Sequence, residues 1–129
     1  MNHCVVARHL QDGNAGEKLA RSWLEAQGLR HVQSNFRCKM GELDLIMLDG
    51  SCLVIVEVRY RSGNNHGGPL YSVTHQKRQK IFRTTRLYLQ QHKALSKHPL
   101  RFDVLALHGP LDAPVIDWRQ RAFCADDCY

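Results

Sequence analysis

Two apolar segments of strand length surround an Asp-Gly dipeptide between residues 41 and 59, and this stretch constrains the fold most strongly. The first segment ends at Leu48, the second begins at Ser51, and Asp49 and Gly50 lie between them. An Asp-Gly pair between apolar strands is a strong short-range signal for a two-residue β-hairpin turn. The sequence therefore predicts an antiparallel hairpin in which Asp49 and Gly50 form the turn and Leu48 faces Ser51.

This predicted register gathers acidic side chains on one face of the hairpin. Counting back from the turn places Asp44 opposite Ile55 and Glu42 opposite Glu57. The two acids of the first strand then share a face with Glu57 and Arg59, and Asp44 lies diagonal to Glu57. Two carboxylates about 4 Å apart repel by about 4 kcal/mol at an effective dielectric near 20, so the cluster requires a cation.

Two cations fit this requirement. Arg59 follows Glu57 on the same strand face and predicts a structural ion pair, while a divalent metal predicts a functional site. Spacing alone favours neither. The second segment, however, contains the nearly continuous apolar run from Leu53 to Val58, interrupted only by Glu57, which is typical of a strand buried on both faces. Charges at the end of a buried strand favour a functional site.

The pattern of acids in these two strands resembles the PD-(D/E)XK nuclease signature. Over most of its length the chain also resembles the bacterial YraN-like family of small restriction-endonuclease-like proteins. The matching blocks are Gly16-Glu17, Asn35-Phe36-Arg37, Gly41-Glu42-Leu43-Asp44-Leu45-Ile46, Val56-Glu57-Val58-Arg59 with Arg61, Ser72-Val73-Thr74, Arg101-Phe102-Asp103-Val104 and Ala122-Phe123. The resemblance implies an α/β fold with a restriction-endonuclease-like αβββαβ core, a mixed sheet flanked by helices, similar to archaeal Holliday-junction resolvases.

Hard oxygen ligands suit Mg²⁺ or Mn²⁺, and two carboxylates with waters can complete an octahedral site. We expect Asp44 and Glu57 to be the metal ligands, with Glu42 and Glu17 beside them or on a second ion. In resolvase-like relatives a glutamate of the first helix reaches the metal, and the resemblance extends this role to Glu17. Locally, Glu17 also fits a capping box three residues after Asn14, which is a sufficient alternative explanation.

The resemblance also points to the groups that act on a phosphate. Arg59 occupies the position where the signature normally has lysine, and a guanidinium stays protonated, so it can contact a phosphate but cannot act as a base. Gln76 and Lys77 resemble a position used near the scissile phosphate in nucleases of this fold. An ordinary surface pair in the first turn of a helix explains Gln76 and Lys77 equally well.

The distribution of charge indicates a polyanionic partner. Ten lysines and arginines and no acidic residue occur between Glu57 and Asp103, in a chain of net charge +6. We expect nucleic acid, and DNA first, to be the partner, because the alternative of a merely solvated basic helix leaves the absence of acids unexplained. The expected nucleic-acid contacts are Arg61, Lys77, Arg78, Lys80, Arg83 and Arg86.

The remaining elements follow from periodicity and capping signals. Apolar residues at helical spacing predict a first helix that ends before Gly28, and Thr74 or Ser72 can cap the second helix. Asp103 is expected to orient a basic residue rather than to bind metal. The predicted elements are helices over 15–27 and 74–92 and strands over 31–38, 101–107 and 115–118.

At 129 residues, the chain is expected to form one domain over residues 1–129, with a loose arm over 1–12. No apolar run suits a membrane span or a signal peptide, so a cytoplasmic location is expected. The first functional hypothesis is a metal-dependent endonuclease of structured or branched DNA, for which a homodimer is a natural arrangement. The second is a nucleic-acid-binding module on a nuclease fold, and the third is an interaction domain with structural ion pairs.

Overall fold

The structure is a computed structural model that describes residues 15–61 and 73–124. The predicted arm over residues 1–12 and the predicted cap Asn14 lie outside the described residues. The alternative helix cap Ser72 also lies outside them.

Five strands form one mixed sheet, with a helix before the first strand and another between the third and fourth. The elements are α1 over 15–26, β1 (Arg30–Cys38), β2 (Gly41–Asp49), β3 (Cys52–Arg61), α2 (His75–Gln91), a 3₁₀ turn (Leu95–Lys97), β4 (Leu100–His108) and β5 (Val115–Phe123). The strands lie in chain order across the sheet; β3 and β4 are parallel, and the other neighbours are antiparallel. This arrangement confirms the predicted αβββαβ core.

The core lies on both faces of the sheet because β3 is apolar on both of its faces. Ile55 packs with Ile81 of α2 in one hydrophobic cluster. Val54 and Val56 pack with Leu24 of α1 in a second cluster. The predicted burial of β3 on both faces is therefore observed, and each helix covers one side of the strand that carries Glu57.

Both helices begin or end where the capping residues indicate. Thr74 caps α2, its hydroxyl oxygen accepting from the backbone N–H of Lys77 at 3.2 Å, and α2 begins and ends within one residue of its predicted bounds. After α1, Gly28 adopts a positive φ of 102°, and the N–H of Leu29 donates to the carbonyl of Leu24 at 3.1 Å. This closure is typical of a helix that ends at a glycine in the left-handed region.

The hairpin exists, but its predicted register is wrong. Leu48 pairs with Leu53 and Asp49 pairs with Cys52, so the two turn residues are Gly50 and Ser51. Gly50 has a φ of 59°, and a glycine at the first turn position suits the type II′ hairpin turn. The pairing therefore differs from the predicted one by two positions along the partner strand. Because side chains alternate with a period of two, each side chain still points to the face of the sheet that was predicted for it.

The corrected register moves the acids relative to one another. Leu45 pairs with Val56, so the next residues outward, Asp44 on β2 and Glu57 on β3, lie across from each other. The predicted register had placed Asp44 opposite Ile55, which instead pairs with Ile46. Glu42 does not lie opposite Glu57, because it precedes Asp44 by two residues on β2.

The final strand is longer than predicted. The expected strand ended at Trp118, whereas β5 extends to Phe123 and pairs with β4 as far as Phe102. A register shift between Phe102 and Val104 and a positive φ of 52° at Arg121 accompany this extension. The extended half contains polar, largely exposed residues, which an edge strand tolerates but which carry no apolar signal.

Candidate active site

Asp44 lies where β2 separates from β3. Leu43 packs in the cluster under α2 and Leu45 in the cluster under α1, although residues two apart in a regular strand share a face. Beyond the pair of Leu45 with Val56, the carboxylate of Asp44 accepts from the backbone N–H of Val58 at 2.9 Å. A side chain thus replaces a backbone partner of β3, and this contact fixes the position of the carboxylate.

Glu57 lies one residue beyond Val56, the last residue of β3 that pairs with β2, and is buried, with a side-chain exposure of 7%. The ammonium of Lys77 lies 2.5 Å from its Oε1 atom, and Arg59 Nε lies 3.9 Å from the same oxygen. Lys77 therefore makes the closer ion pair, although it belongs to α2 and not to the strand. The Lys77 side chain is 45% exposed, so the pair lies at the surface end of the buried acids.

A cavity of about 350 Å³ connects the acids with the first turns of α2. Arg59 is not among the residues that line this cavity. The side chains that line the cavity include Glu42, Asp44 and Glu57 from the sheet and Gln76, Lys77 and Lys80 from the helix.

The electrostatics of the cavity disfavour a charged Asp44. Burial, followed by the neighbouring Glu57 carboxylate, raises the pKa of Asp44 to about 8, and the Val58 N–H opposes this shift. Glu17 and Glu42 also raise the pKa of Asp44 through their charges. Close to neutral pH, therefore, Asp44 holds a proton that an added cation would displace.

Glu17 reaches the same group of acids from α1. Burial raises the pKa of its carboxyl, and a side-chain hydrogen bond from Asn35 partly offsets this effect. Asn35 lies between two residues of β1 that pair with Leu43 and Leu45, so it lies across from Asp44. Its φ of 53° is in the left-handed region, which asparagine tolerates better than most residues.

Asn35 lies beside the acids, although its sequence block was named only for the family resemblance and no role at the site was predicted for it. The available signal was weak, because an asparagine within a predicted strand is more often an ordinary exposed residue. The contact with Glu17 gives this asparagine a specific place beside the acids.

Glu42 lines the cavity but forms its closest ion pair elsewhere. It pairs with Arg37 across β1 and β2, and Arg37 Nε lies 2.6 Å from Glu42 Oε2. Both side chains are largely exposed, so this pair contributes little to stability. A role for Glu42 beside a metal stays a prediction.

Among residues 15–61 and 73–124, no three histidine, cysteine or acidic side chains form a group that could hold a metal ion by itself. Asp44 and Glu57 nevertheless fit Mg²⁺ or Mn²⁺, because these ions are held by one or two carboxylates with waters and substrate oxygens. The buried carboxyl of Asp44, whose pKa is raised by burial and by Glu57, matches a site that gains from an added cation.

The predicted nucleic-acid contacts occupy different environments. Lys80 lines the cavity, and Arg83 and Arg86 are exposed on α2. Arg78 donates from Nε to the carbonyl of Val73 at 3.0 Å, and its guanidinium lies over the ring of Phe123. Arg78 thus also contributes to the packing between α2 and β5.

Arg61 ends β3, where its carbonyl accepts from the N–H of Gly109 at 2.9 Å. Its predicted contact with nucleic acid stays a prediction. The hydroxyl of the preceding residue, Tyr60, donates to the Gly109 carbonyl at 3.1 Å, so the backbone next to Arg61 is held against the turn that follows β4.

Asp103 orients a basic residue, as predicted. Its buried carboxylate accepts from Arg101 Nε at 3.0 Å, from Trp118 Nε1 at 2.9 Å and from the backbone N–H of Arg121 at 3.0 Å. Val56, its partner across β3 and β4, belongs to the cluster under α1, so this network lies on the face opposite Ile55. Arg101 continues to Asp49 at the hairpin, which ties β4 and β5 to β2.

These features define an α/β protein with a mixed five-stranded sheet and a cavity of buried acids where two strands separate. The protein-family model described as "Uncharacterised protein family UPF0102" matches residues 16–107, and the chain belongs to this family. No helix in the described ranges has the length and apolar character to cross a membrane.

Relatives in the same family resemble the chain over nearly their full length. A UPF0102 protein of Stutzerimonas stutzeri is 46% identical over 111 residues, covering 86% of this chain and 92% of the relative. A UPF0102 protein of Legionella pneumophila subsp. pneumophila is 44% identical over 115 residues, covering 89% and 96%. One of Ectopseudomonas mendocina is 45% identical over 120 residues, covering 93% and 100%.

Proposed function

We propose that the protein is a metal-dependent nuclease that hydrolyses phosphodiester bonds in DNA. The observation that carries this proposal is the juxtaposition of two buried carboxylates, Asp44 and Glu57, with the ammonium of Lys77 at one cavity. Buried like charges are costly to maintain, so such a cluster is more often found at functional sites than elsewhere.

In this proposal Asp44 and Glu57 hold a divalent cation, Mg²⁺ or Mn²⁺. A bound divalent cation polarises a phosphate and lowers the pKa of a bound water. The N–H of Val58 keeps the Asp44 carboxylate in place, which reduces the reorganisation needed when a ligand binds.

Lys77 supplies the flexible cation of the site. When DNA is bound, its ammonium turns from Glu57 to a phosphate oxygen, a movement that its half-exposed side chain permits. Arg59 stays protonated and contributes positive charge beside Glu57, but it cannot accept a proton. Lys80 offers a further phosphate contact at the cavity, and the exposed Arg83 and Arg86 offer others farther along α2.

A second candidate function is nucleic-acid binding without cleavage. The contact that favours it is the ion pair of Lys77 with Glu57, because a lysine that neutralises this carboxylate also competes with a metal for it. The arginine at position 59, in place of the usual lysine, supports the same alternative. In this case basic side chains bind the phosphates and Asp44 stays protonated.

A cleavage screen separates the two functions. Duplex, single-stranded, flap and four-way-junction DNA are incubated with the protein in Mg²⁺ or Mn²⁺ and in chelator. We expect metal-dependent cleavage that is lost in Asp44→Asn and in Glu57→Gln. Asp112→Asn is the matched control, because Asp112 is exposed in the connection between β4 and β5 and should leave cleavage unchanged. Cleavage that survives in both carboxylate variants indicates a contaminant and contradicts the nuclease proposal.

The binding alternative is measured with the same variants at different salt concentrations. DNA binding that is independent of metal and unaffected by Asp44→Asn, without cleavage of any substrate, favours the binding module. Binding through basic side chains must weaken as salt rises, because phosphate contacts release counterions. Binding that does not respond to salt contradicts both nucleic-acid functions.

A further inference from the structure

The turn between β1 and β2 presents an exposed methionine next to the acidic cavity. Cys38 pairs with Gly41, and the two residues between them, Lys39 and Met40, form the tip of the turn. Met40 is 38% exposed and Lys39 is also exposed. Scattered exposed apolar residues are ordinary in proteins, so the position of Met40 must carry any further meaning.

The backbone on both sides of this tip is held against α2 at one residue. Cys38 Sγ lies 3.9 Å from the hydroxyl oxygen of the buried Thr84. On the other side of the tip, a Cβ atom at Gly41 would lie 3.0 Å from the same oxygen, and Gly41 has a φ of 153°. The close approach of β2 to α2 therefore requires glycine here, and it presents the tip from a fixed base.

The tip is adjacent to the cavity and surrounded by positive charge. Gly41 and Glu42, which follow Met40, line the cavity, and Lys80 lies on the facing side in α2. Arg37 on β1 and Lys39 within the tip are both exposed, and both precede Met40 in the sequence. The arrangement combines an apolar side chain on a rigid turn, cationic neighbours and nearby carboxylates.

We infer that Met40 is a wedge that contacts an unstacked base, so that the protein selects DNA with an interrupted base stack, such as a junction or a flap. This inference rests on the proposed function, since it requires DNA at the cavity. Apolar side chains that insert between base steps must supply the cost of unstacking, which is lower where stacking is already broken. The flanking basic residues hold the phosphates on either side of the contacted step.

The test measures binding of the full chain to a four-way junction and to an intact duplex of the same sequence. Ca²⁺ replaces Mg²⁺ to limit cleavage, and 2-aminopurine at the branch point reports unstacking. We expect the wild type to bind the junction about tenfold more tightly than the duplex and to increase the fluorescence. Met40→Ser should lose this preference and the fluorescence increase, while its duplex affinity stays within about twofold. Met40→Leu should retain both.

Leu100→Ser is the control for removing an exposed apolar side chain. Leu100 is 39% exposed, which is close to the 38% exposure of Met40. It pairs with Leu53 at the start of β3, away from the cavity. We expect this variant to keep the junction preference. Thermal unfolding of each variant verifies that the fold is intact.

The outcomes separate the wedge from the nuclease proposal. A Met40→Ser variant that keeps the junction preference, or that loses affinity for both DNAs equally, contradicts the wedge whether or not the wild type cleaves DNA. A wild type that shows the Met40-dependent preference but cleaves nothing in Mg²⁺ or Mn²⁺ contradicts the nuclease proposal alone. A wild type that binds neither DNA contradicts both.

Discussion

The ammonium of Lys77 lies 2.5 Å from Glu57 Oε1, whereas Arg59 Nε, on the same strand as the glutamate, lies 3.9 Å from it. The closer cation to Glu57 thus comes from a helix, and not from the strand position two residues after the glutamate, where the resemblance to the nuclease signature would place a lysine. Lys77 comes from the exposed first turn of α2 and can move, while Arg59 is more enclosed, with a side-chain exposure of 27%. This exchange of positions makes Lys77 the residue whose removal is most informative.

We predict that Lys77→Gln lowers the cleavage rate by about 10²-fold or more while it raises Mg²⁺ affinity. The rate falls because the proposed cationic contact to the phosphate is lost. The metal affinity rises because the ammonium no longer competes for the Glu57 carboxylate. Single-turnover cleavage and calorimetric titration with Mg²⁺ measure the two effects.

Lys97→Gln provides the matched control for the loss of one positive charge. Lys97 is exposed in the 3₁₀ turn before β4, so its removal should change neither quantity by more than about twofold at moderate salt. If both lysine variants lower cleavage equally, the effect is one of net charge and Lys77 has no specific role.

We predict that chelator-treated protein loses stability as pH rises towards 8. Burial and Glu57 raise the pKa of Asp44 from 3.8 to about 8, so the folded state retains a proton that the unfolded state releases. The resulting stability is fully present below pH 3.8, declines progressively above it and is gone once pH passes about 8. Urea unfolding at several pH values measures it.

The variant Asp44→Asn isolates this contribution from other titrating groups. It should remove up to about 1.4 kcal/mol per pH unit of the decline in the unfolding free energy between neutral pH and 8. Asp112→Asn should leave the slope unchanged, because Asp112 is exposed. A wild-type slope equal to that of Asp44→Asn shows that the carboxyl is already ionised at neutral pH.

We predict that divalent metal binding releases about one proton near neutral pH. The metal requires the charged form of Asp44, whose pKa burial and Glu57 raise to about 8. Affinity should therefore rise about tenfold per pH unit below that value and level off above it. Titration calorimetry in buffers of different ionisation enthalpy counts the protons. Binding that is equally tight at each pH contradicts the assignment of Asp44 as a ligand.

Local patterns were sufficient to predict most of the fold. Thr74 provides a cap that the backbone of Lys77 uses, and the apolar run of β3 is buried on both faces as its composition indicates. These features depend on neighbours along the chain. The polar half of β5 lacks such a pattern, and only its pairing with β4 as far as Phe102 makes it a strand.

The hairpin register shows why the geometry of the site was less predictable. The predicted and observed pairings differ by two positions, and both place Asp44 and Glu57 on one face of the hairpin. The alternation of side chains therefore cannot distinguish the two pairings. Gly50 serves as a turn residue in either pairing. The positive φ of Gly50, which suits the first position of a type II′ turn, distinguishes them only in the structure. The separation of β2 from β3, which lets Asp44 reach the Val58 N–H, likewise has no counterpart in the alternating pattern.

We predict that Asn35→Val lowers the free energy of unfolding by about 1 to 3 kcal/mol, because a β-branched residue is strained at a φ of 53°. Asn35→Gly should cost less, since glycine adopts this conformation readily. Both variants lose the hydrogen bond to Glu17, so both should raise the pKa of that carboxyl. Urea unfolding and an NMR titration of Glu17 measure the two effects. Equal destabilisation by valine and glycine would show that the side chain of Asn35, and not its backbone conformation, contributes to stability.

The Asp103 network tests whether the structural acids are separate from the acids of the proposed metal site. Arg101 is shared between Asp103, which is fully buried, and Asp49, whose side chain is 39% exposed. Asp103→Asn should destabilise the fold by about 3 to 5 kcal/mol, because the Arg101 guanidinium then loses its buried counter-charge. Asp49→Asn should cost about 1 kcal/mol or less. At a temperature where both variants are folded, Mg²⁺ affinity and cleavage should match the wild type, since the network lies on the other face from the cavity. A loss of metal binding in folded Asp103→Asn would make Asp103 part of the site and contradict the division drawn between the two groups of acids.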